Sequence, residues 1–319
     1  MPLPLDQELL AWAAGFFDGE GTTIAKRQTS RPGYYQLQVS VPQVGRGGLP
    51  EVLERFRVAA LGSGRTEGPN KESVYCWRAR GRIDAEAALA LIWPYLGEVK
   101  RAQAASAMAL TGSQYDSGIY RKRRARFVPT FVPHPPTPVV AAGDDISERA
   151  WAAGFLDAEG SFGLIHAHAR KRGPDWYRIR VSATQHSQDG SIPQVLLRLQ
   201  RVVGIGRIEC HGDLDDFKWV TEGRDAVLRV LEFTDTWLSG VKLAQAEEAL
   251  AGFDRQERFK GGSPTTCMRG HNYDRVVTTS SGRTRKYCNA CARLLGRRER
   301  AAQGSKPRQF KNIARRYLE

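Results

Sequence analysis

The chain has 319 residues, 41% of them hydrophobic and seven of them Trp, enough to build about two packed domains and too apolar for wholesale disorder. Lys and Arg number 48 against 34 Asp and Glu, a net charge of +14 that points to a polyanionic partner, in the first place nucleic acid. The surplus is local: residues 255–319 hold 17 basic and 4 acidic residues, leaving 31 and 30 for the rest of the chain. This distribution describes a nearly neutral body with a basic tail. The apolar run Leu9 to Phe17 has no basic segment before it and acids behind it. Neither a signal peptide nor a membrane span is expected, and the protein reads as cytoplasmic, associated with the nucleoid when bound to DNA.

In chain order, the first predicted helix carries Leu9, Trp12 and Phe16 at helical spacing and runs into Trp12-Ala-Ala-Gly-Phe-Phe-Asp-Gly-Glu-Gly21. A strand follows in which Leu37, Val39 and Val41 alternate with Gln36, Gln38 and Ser40. Next come a helix over 50–60, a Gly62-Ser-Gly64 turn, strands around Trp77, and a final helix through Lys100. The stretch Arg121 to Arg126 and the Pro-rich run Val128 to Val140 form a linker.

After the linker the order repeats. Trp151-Ala-Ala-Gly-Phe-Leu-Asp-Ala-Glu-Gly160 matches the first motif at eight of ten positions with an offset of 139, and Ser147 is the expected N-cap of its helix. Ile179, Val181 and Ala183 alternate with Arg178, Arg180 and Ser182, and a helix over 192–203 follows. Gln43 and Gln185, Gly62 and Gly204, Arg65 and Arg207, Trp77 and Trp219, and Lys100 and Lys242 all share an offset of 142, so a three-residue insertion is expected near 170–175. The reading is two homologous α+β halves, 1–120 and 144–254, joined by a linker over 121–143 and followed by an extension over 255–319.

In the extension, Cys267-x3-His271 and Cys288-x2-Cys291 are two ligand pairs separated by sixteen residues, a spacing suited to a tetrahedral structural Zn²⁺. Arg283, Arg285, Lys286, Arg293, Arg297, Arg298 and Arg300 surround it and would track phosphates. Cys76 and Cys210 stand singly in the halves and read as strand or core residues.

Each repeated motif ends a helix in acids, where the negative end of the helix dipole disfavours an anion. One copy alone would read as an amphipathic core helix with a Gly cap and an incidental acid. Two near-identical copies argue for a compensating divalent cation, with the Ala-Ala-Gly surfaces packed about a pseudo-twofold axis so that Glu20 and Glu159 meet at the helix ends.

These two motifs, Ala13–Gly21 and Ala152–Gly160, resemble the LAGLIDADG motif of homing endonucleases in its single-chain, two-motif form. The resemblance spans about Leu5 to Gly252. It implies two αββαββα halves with saddle-shaped antiparallel sheets, the motif helices forming their interface. It implies that Glu20 and Glu159 bind catalytic Mg²⁺, while Asp18 and Asp157 are structural. It places a catalytic-site lysine at Lys100 and Lys242, and Gln43 and Gln185 resemble the family's water-positioning glutamines. The strands would read double-stranded DNA in the major groove through Gln36, Gln38, Ser40, Arg178, Arg180, Ser182 and Thr184, with Arg65, Arg78, Arg80, Arg207 and Lys218 divided between phosphates and bases. The extension resembles small Cys3His zinc modules found beside phage and intron-type nucleases.

The implied activity is metal-dependent hydrolysis of both strands of a long asymmetric DNA site by a monomer encoded in an intron or phage genome. Proteins of the same fold that bind without cutting, as RNA maturases assisting intron splicing or as DNA-binding regulators, are the alternative; retention of both glutamates favours the nuclease.

Overall fold

The structure is a computed structural model that describes residues 6–30, 33–45, 47–116, 146–167, 176–187, 189–211, 215–260, 271–278, 284–290 and 292–293. The expected linker over 121–143 and the expected insertion near 170–175 lie outside the described residues.

The first half contains α1 (Gln7–Glu20), β1 (Thr22–Arg27), β2 (Tyr35–Val44), α2 (Glu51–Ala59), β3 (Arg65–Glu67), β4 (Val74–Arg80), α3 (Arg82–Ile92) and α4 (Glu98–Asp116). The second contains α5 (Ile146–Glu159), β5 (Gly160–Ala167), β6 (Trp176–His186), α6 (Gln194–Val203), β7 (Arg207–His211), β8 (Asp216–Glu222), α7 (Arg224–Thr234) and α8 (Gly240–Lys260). Among the described residues each half therefore has one helix more than the αββαββα expectation. In the first, α3 stops at the single 3-10 turn Trp93–Tyr95, where Pro94 has no N–H with which to continue it.

Both sheets are antiparallel, in the orders β1-β2-β4-β3 and β5-β6-β8-β7. Their registers coincide: Val41 pairs with Trp77, and the equivalent Ala183 with Trp219. The alternation read from sequence sets the faces, with Leu37, Val39 and Val41, and Ile179, Val181 and Ala183, all buried toward the helices. The offset of 142 does not hold through the second helix of each half. Pro50 and Pro193 occupy the same N-cap position one residue out of that register, and it is restored at Gly62 and Gly204, both in the left-handed region. Ser147 is not an N-cap, because α5 already begins at Ile146.

α1 is buried from Leu10 to Asp18 and α5 from Ala150 to Asp157, so these two helices form the centre of the body. They touch through backbone. A Cβ added to Gly15 would overlap the Trp151 carbonyl oxygen and lie 2.9 Å from the Phe155 nitrogen; one added to Gly154 would overlap the Trp12 carbonyl oxygen and lie 2.9 Å from the Phe16 nitrogen. Around this crossing Trp12 stacks on Phe16 at 5.3 Å and Trp151 on Phe155 at 5.5 Å between centroids. Arg55 covers the Trp12 ring at 4.0 Å and donates to the Trp237 carbonyl of the other half; Arg198 covers Trp151 at 3.9 Å and donates to the Tyr95 carbonyl.

The chain beyond Leu250 forms a unit of its own. Among the described residues it contains the end of α8, a hairpin of β9 (Arg275–Thr278) and β10 (Thr284–Tyr287) with Arg275 opposite Tyr287, and helical residues at 289–290 and 292–293.

Candidate active site at the paired helix ends

α1 and α5 both end in glutamate with no basic residue in the last turn. Gly21 caps α1 with an extended backbone, not the left-handed conformation for which helix-end glycines are usually selected. Glycine is needed for space: a Cβ there would overlap the Phe17 ring, and one at Gly160 would overlap the Leu156 carbonyl.

Six of the residues singled out in sequence come together at these ends. Gln43 hydrogen-bonds the Glu20 carboxylate and Gln185 that of Glu159. Lys100 donates to the Gly21 carbonyl at 2.6 Å and Lys242 donates to that of Gly160. Both ammonium groups lie in the field of both glutamates. The glutamates also face one another. Burial, then the charge of Glu20, raises the Glu159 carboxyl to about 7, and burial raises that of Glu20. The Glu159 side chain is close enough to α1 that a Cβ on Gly19 would sit 3.0 Å from its Cγ.

The lysines are set by the first acids of the motifs. Asp18, buried, accepts from the Gly97 N–H at 2.9 and 2.8 Å, which fixes the start of α4 three residues before Lys100. Asp157 does the same for Lys242 by accepting from the Ser239 N–H at 3.0 and 3.1 Å and its hydroxyl at 2.6 Å. Each aspartate is also held from the opposite half: Trp151 donates to Asp18 at 2.8 Å and Trp12 to Asp157 at 2.9 Å. Burial raises Asp18 to about 6 despite the nearby Arg198 guanidinium, and burial raises Asp157 as well.

A hard divalent cation fits this donor set. Two half-buried carboxylates, both raised by burial and Glu159 also by the charge of Glu20, are stabilised by a shared positive charge. Among the described residues no group of three or more His, Cys, Asp or Glu forms. Two carboxylates with the remaining positions left to water and substrate phosphate is how Mg²⁺ is commonly held.

On the strand faces turned from the core, register aligns Gln36, Gln38, Ser40, Arg65, Arg78 and Arg80 in one half and Arg178, Arg180, Ser182, Thr184, Arg207 and Lys218 in the other. Gln38 and Ser182 are buried at 7% and 5% exposure, so these two expected base contacts offer little to a groove. The arginines carry partners that sequence reasoning missed. Arg78 and Arg80 pair with Glu67 at 2.5 and 2.7 Å, and Arg180, Arg178 and Arg207 gather around Glu222. The available signal was the offset of 142, which sets Glu222 at the position of Arg80. Cys76 and Cys210 both lie on strands, as expected, Cys76 buried in β4 and Cys210 exposed in β7.

In the extension, Asp274 donates its N–H to the Tyr287 carbonyl at 2.9 Å and accepts from the Asn289 N–H at 2.6 Å, so His271 and Cys288 lie at the same end of the hairpin in sequence register. Cys267 and Cys291 lie outside the described residues.

The fold is that of single-chain LAGLIDADG homing endonucleases. The meganuclease I-AabMI, solved bound to uncleaved DNA, is 16% identical with a TM-score of 0.57, covering 78% of this chain and 91% of its own. I-SmaMI bound to uncleaveable DNA with a TTCT central four is 17% identical at a TM-score of 0.54, covering 81% and 94%. The LAGLIDADG homing endonuclease I-GzeII in complex with its DNA target is 15% identical at 0.53, covering 80% and 93%. No family model and no curated protein matches the chain at the level of sequence.

Proposed function

We propose that the chain is a site-specific, Mg²⁺-dependent endonuclease that hydrolyses both strands of a long, asymmetric DNA site. The observation that carries this reading is the meeting of Glu20 and Glu159 at the ends of paired helices, each with a glutamine and a lysine from its own half.

Glu20 and Glu159 would hold the divalent cations, which supply charge neutralisation at the scissile phosphates and at the departing oxygen. Lys100 and Lys242, partly desolvated and close to both carboxylates, place ammonium groups where negative charge develops on phosphate. Gln43 and Gln185 donate an amide N–H to their glutamates, leaving the amide oxygen to accept from water and so orient a nucleophile. Duplication supplies one such set for each strand. The differing strand faces, Gln-rich in the first half and Arg-rich in the second, make the site non-palindromic.

Cys267, His271, Cys288 and Cys291 are proposed to hold a structural Zn²⁺, supported by the ligand spacing and by the hairpin register that carries His271 and Cys288 to one end. The basic extension then adds phosphate contacts.

The reading is tested with a randomised DNA library. The protein with Mg²⁺ should select and cut a discrete sequence on both strands, and Glu20→Gln or Glu159→Gln should abolish cutting while leaving DNA binding. Undiminished cleavage by both variants would overturn it.

A further inference from the structure

The outer faces of the two sheets carry acids set among their arginines. Glu222 lies directly opposite Arg180 in the β6/β8 register and is 15% exposed at its side chain. One of its oxygens, Oε1, accepts from both Nε, at 2.9 Å, and Nη2 of Arg180. Its other oxygen faces Arg178 Nη1 at 3.4 Å, and Arg207 Nη2 lies 3.9 Å from Oε1. Arg207 is held in addition by Glu209 at 2.6 Å. The three guanidinia hold the Glu222 carboxyl below the ordinary carboxylate range, Arg180 most strongly. The first half repeats the device with other residues: Glu67 on β3 takes Arg78 on one oxygen at 2.5 Å and Arg80 at 2.7 and 2.9 Å, and is likewise held ionised.

Two consequences follow from charge and geometry. A long arginine on an exposed strand face samples many rotamers, and its flexibility favours any phosphate within reach. Bonded through Nε and Nη2, Arg180 keeps three of its five N–H donors and loses most of its rotational freedom. A carboxylate at the centre of the cluster also repels phosphate, whereas base edges, which are neutral, meet no such penalty.

We propose that Glu222, and Glu67 in the first half, are specificity-determining positioning residues: they splint Arg180 and the Arg78–Arg80 pair for base-edge contacts and set the clusters against sequence-independent phosphate binding. This inference rests on the DNA-cleaving reading. Each glutamate so placed differs from an ordinary surface acid in a DNA-binding protein, whose removal would strengthen general attachment without loosening selection at one half-site.

The test is a binding selection on a randomised duplex library with full-length Glu20→Gln/Glu159→Gln protein, so that sequence preference is read without cleavage. Adding Glu222→Gln should reduce the preference at base pairs under the second half from about tenfold or more to about two- to threefold. The first-half preferences should stay as they are. Affinity for unrelated duplex should rise, and log affinity should fall more steeply with log salt, by about 0.9 in slope, as arginine released from the acid neutralises one further phosphate. Glu67→Gln should move the same quantities for the other half-site. Preference profiles unchanged in both variants, or a loss spread evenly over both half-sites, would overturn the inference. A parent protein with no sequence preference at all would overturn the DNA-cleaving reading itself, a separate and recognisable failure.

Discussion

Trp12 donates its indole N–H across the helix interface to Asp157 at 2.9 Å, and Asp157 in turn accepts from Ser239 at the head of the helix that carries Lys242. The reciprocal chain runs from Trp151 through Asp18 and Gly97 to Lys100. Packing of the halves and placement of the lysines are thus parts of one hydrogen-bonded network. Trp12→Phe keeps the stacked ring but leaves Asp157 one donor short, at a cost of about 1–3 kcal/mol. Urea denaturation should show that loss, and single-turnover cleavage should slow because the start of α8 is less firmly set.

The helix crossing admits no side chain at its closest point. Gly15→Ala or Gly154→Ala sets a methyl against backbone of the opposite helix, which cannot swing aside, and should destabilise by about 3 kcal/mol or more. Gly19→Ala meets the Ala158 methyl and the Glu159 side chain instead. It should cost less in stability and more in cleavage, because its relief is a displaced Glu159. Comparing denaturation midpoints with cleavage rates for the three variants checks this.

The raised carboxyls give stability a definite pH dependence. Glu159 moves from 4.5 to about 7 and Asp18 from 3.8 to about 6. Between the ordinary and raised values the folded state binds more protons than the unfolded one, so without divalent metal stability falls as pH rises from about 4 to about 7. Mg²⁺ requires the ionised carboxylates and should therefore flatten the upper part of this fall. Denaturation midpoints across pH, with and without Mg²⁺, report both effects, and Glu159→Gln should remove the component nearest 7.

Cleavage should rise with pH through the same region at limiting Mg²⁺, and its midpoint should move to lower pH as Mg²⁺ is increased, since cation and proton compete for Glu159. A rate profile insensitive to Mg²⁺ concentration would place the titrating group elsewhere.

α8 runs unbroken to Lys260, so the extension is best removed after that residue. The shortened protein should bind DNA more weakly, with a flatter salt dependence, while cutting the same sequence. In the full chain, Cys288→Ser with Cys291→Ser should abolish bound zinc, measured by elemental analysis, without changing the unfolding of residues 6–250.

Much of this protein was legible in the chain because duplication makes matched positions visible. The motif copies, the alternation around Leu37 and Ile179, and the pairs Gln43 and Gln185 and Lys100 and Lys242 are local patterns, and helix and strand periodicity turns each into an element with a known face. What periodicity cannot express is which side chains meet across elements. Ser147 has the composition of an N-cap, but the helix begins one residue earlier. Gln38 and Ser182 alternate correctly and are still covered, because exposure on a sheet depends on neighbours from other strands.

The sequence by itself determined two homologous α+β halves, their motif helices and the residues that repeat between them. Only the tertiary structure decided that the first acids reach across to the opposite tryptophans and anchor the lysine helices, and that the strand-face arginines are tied to Glu67 and Glu222. The physical reason is range. Hydrogen bonds and ion pairs between residues 11 to 145 positions apart follow no fixed spacing in the chain, and the near-neutral charge of the body, visible as a number, becomes intelligible only when acids such as Asp157, Glu67 and Glu222 are seen beside the groups they bind.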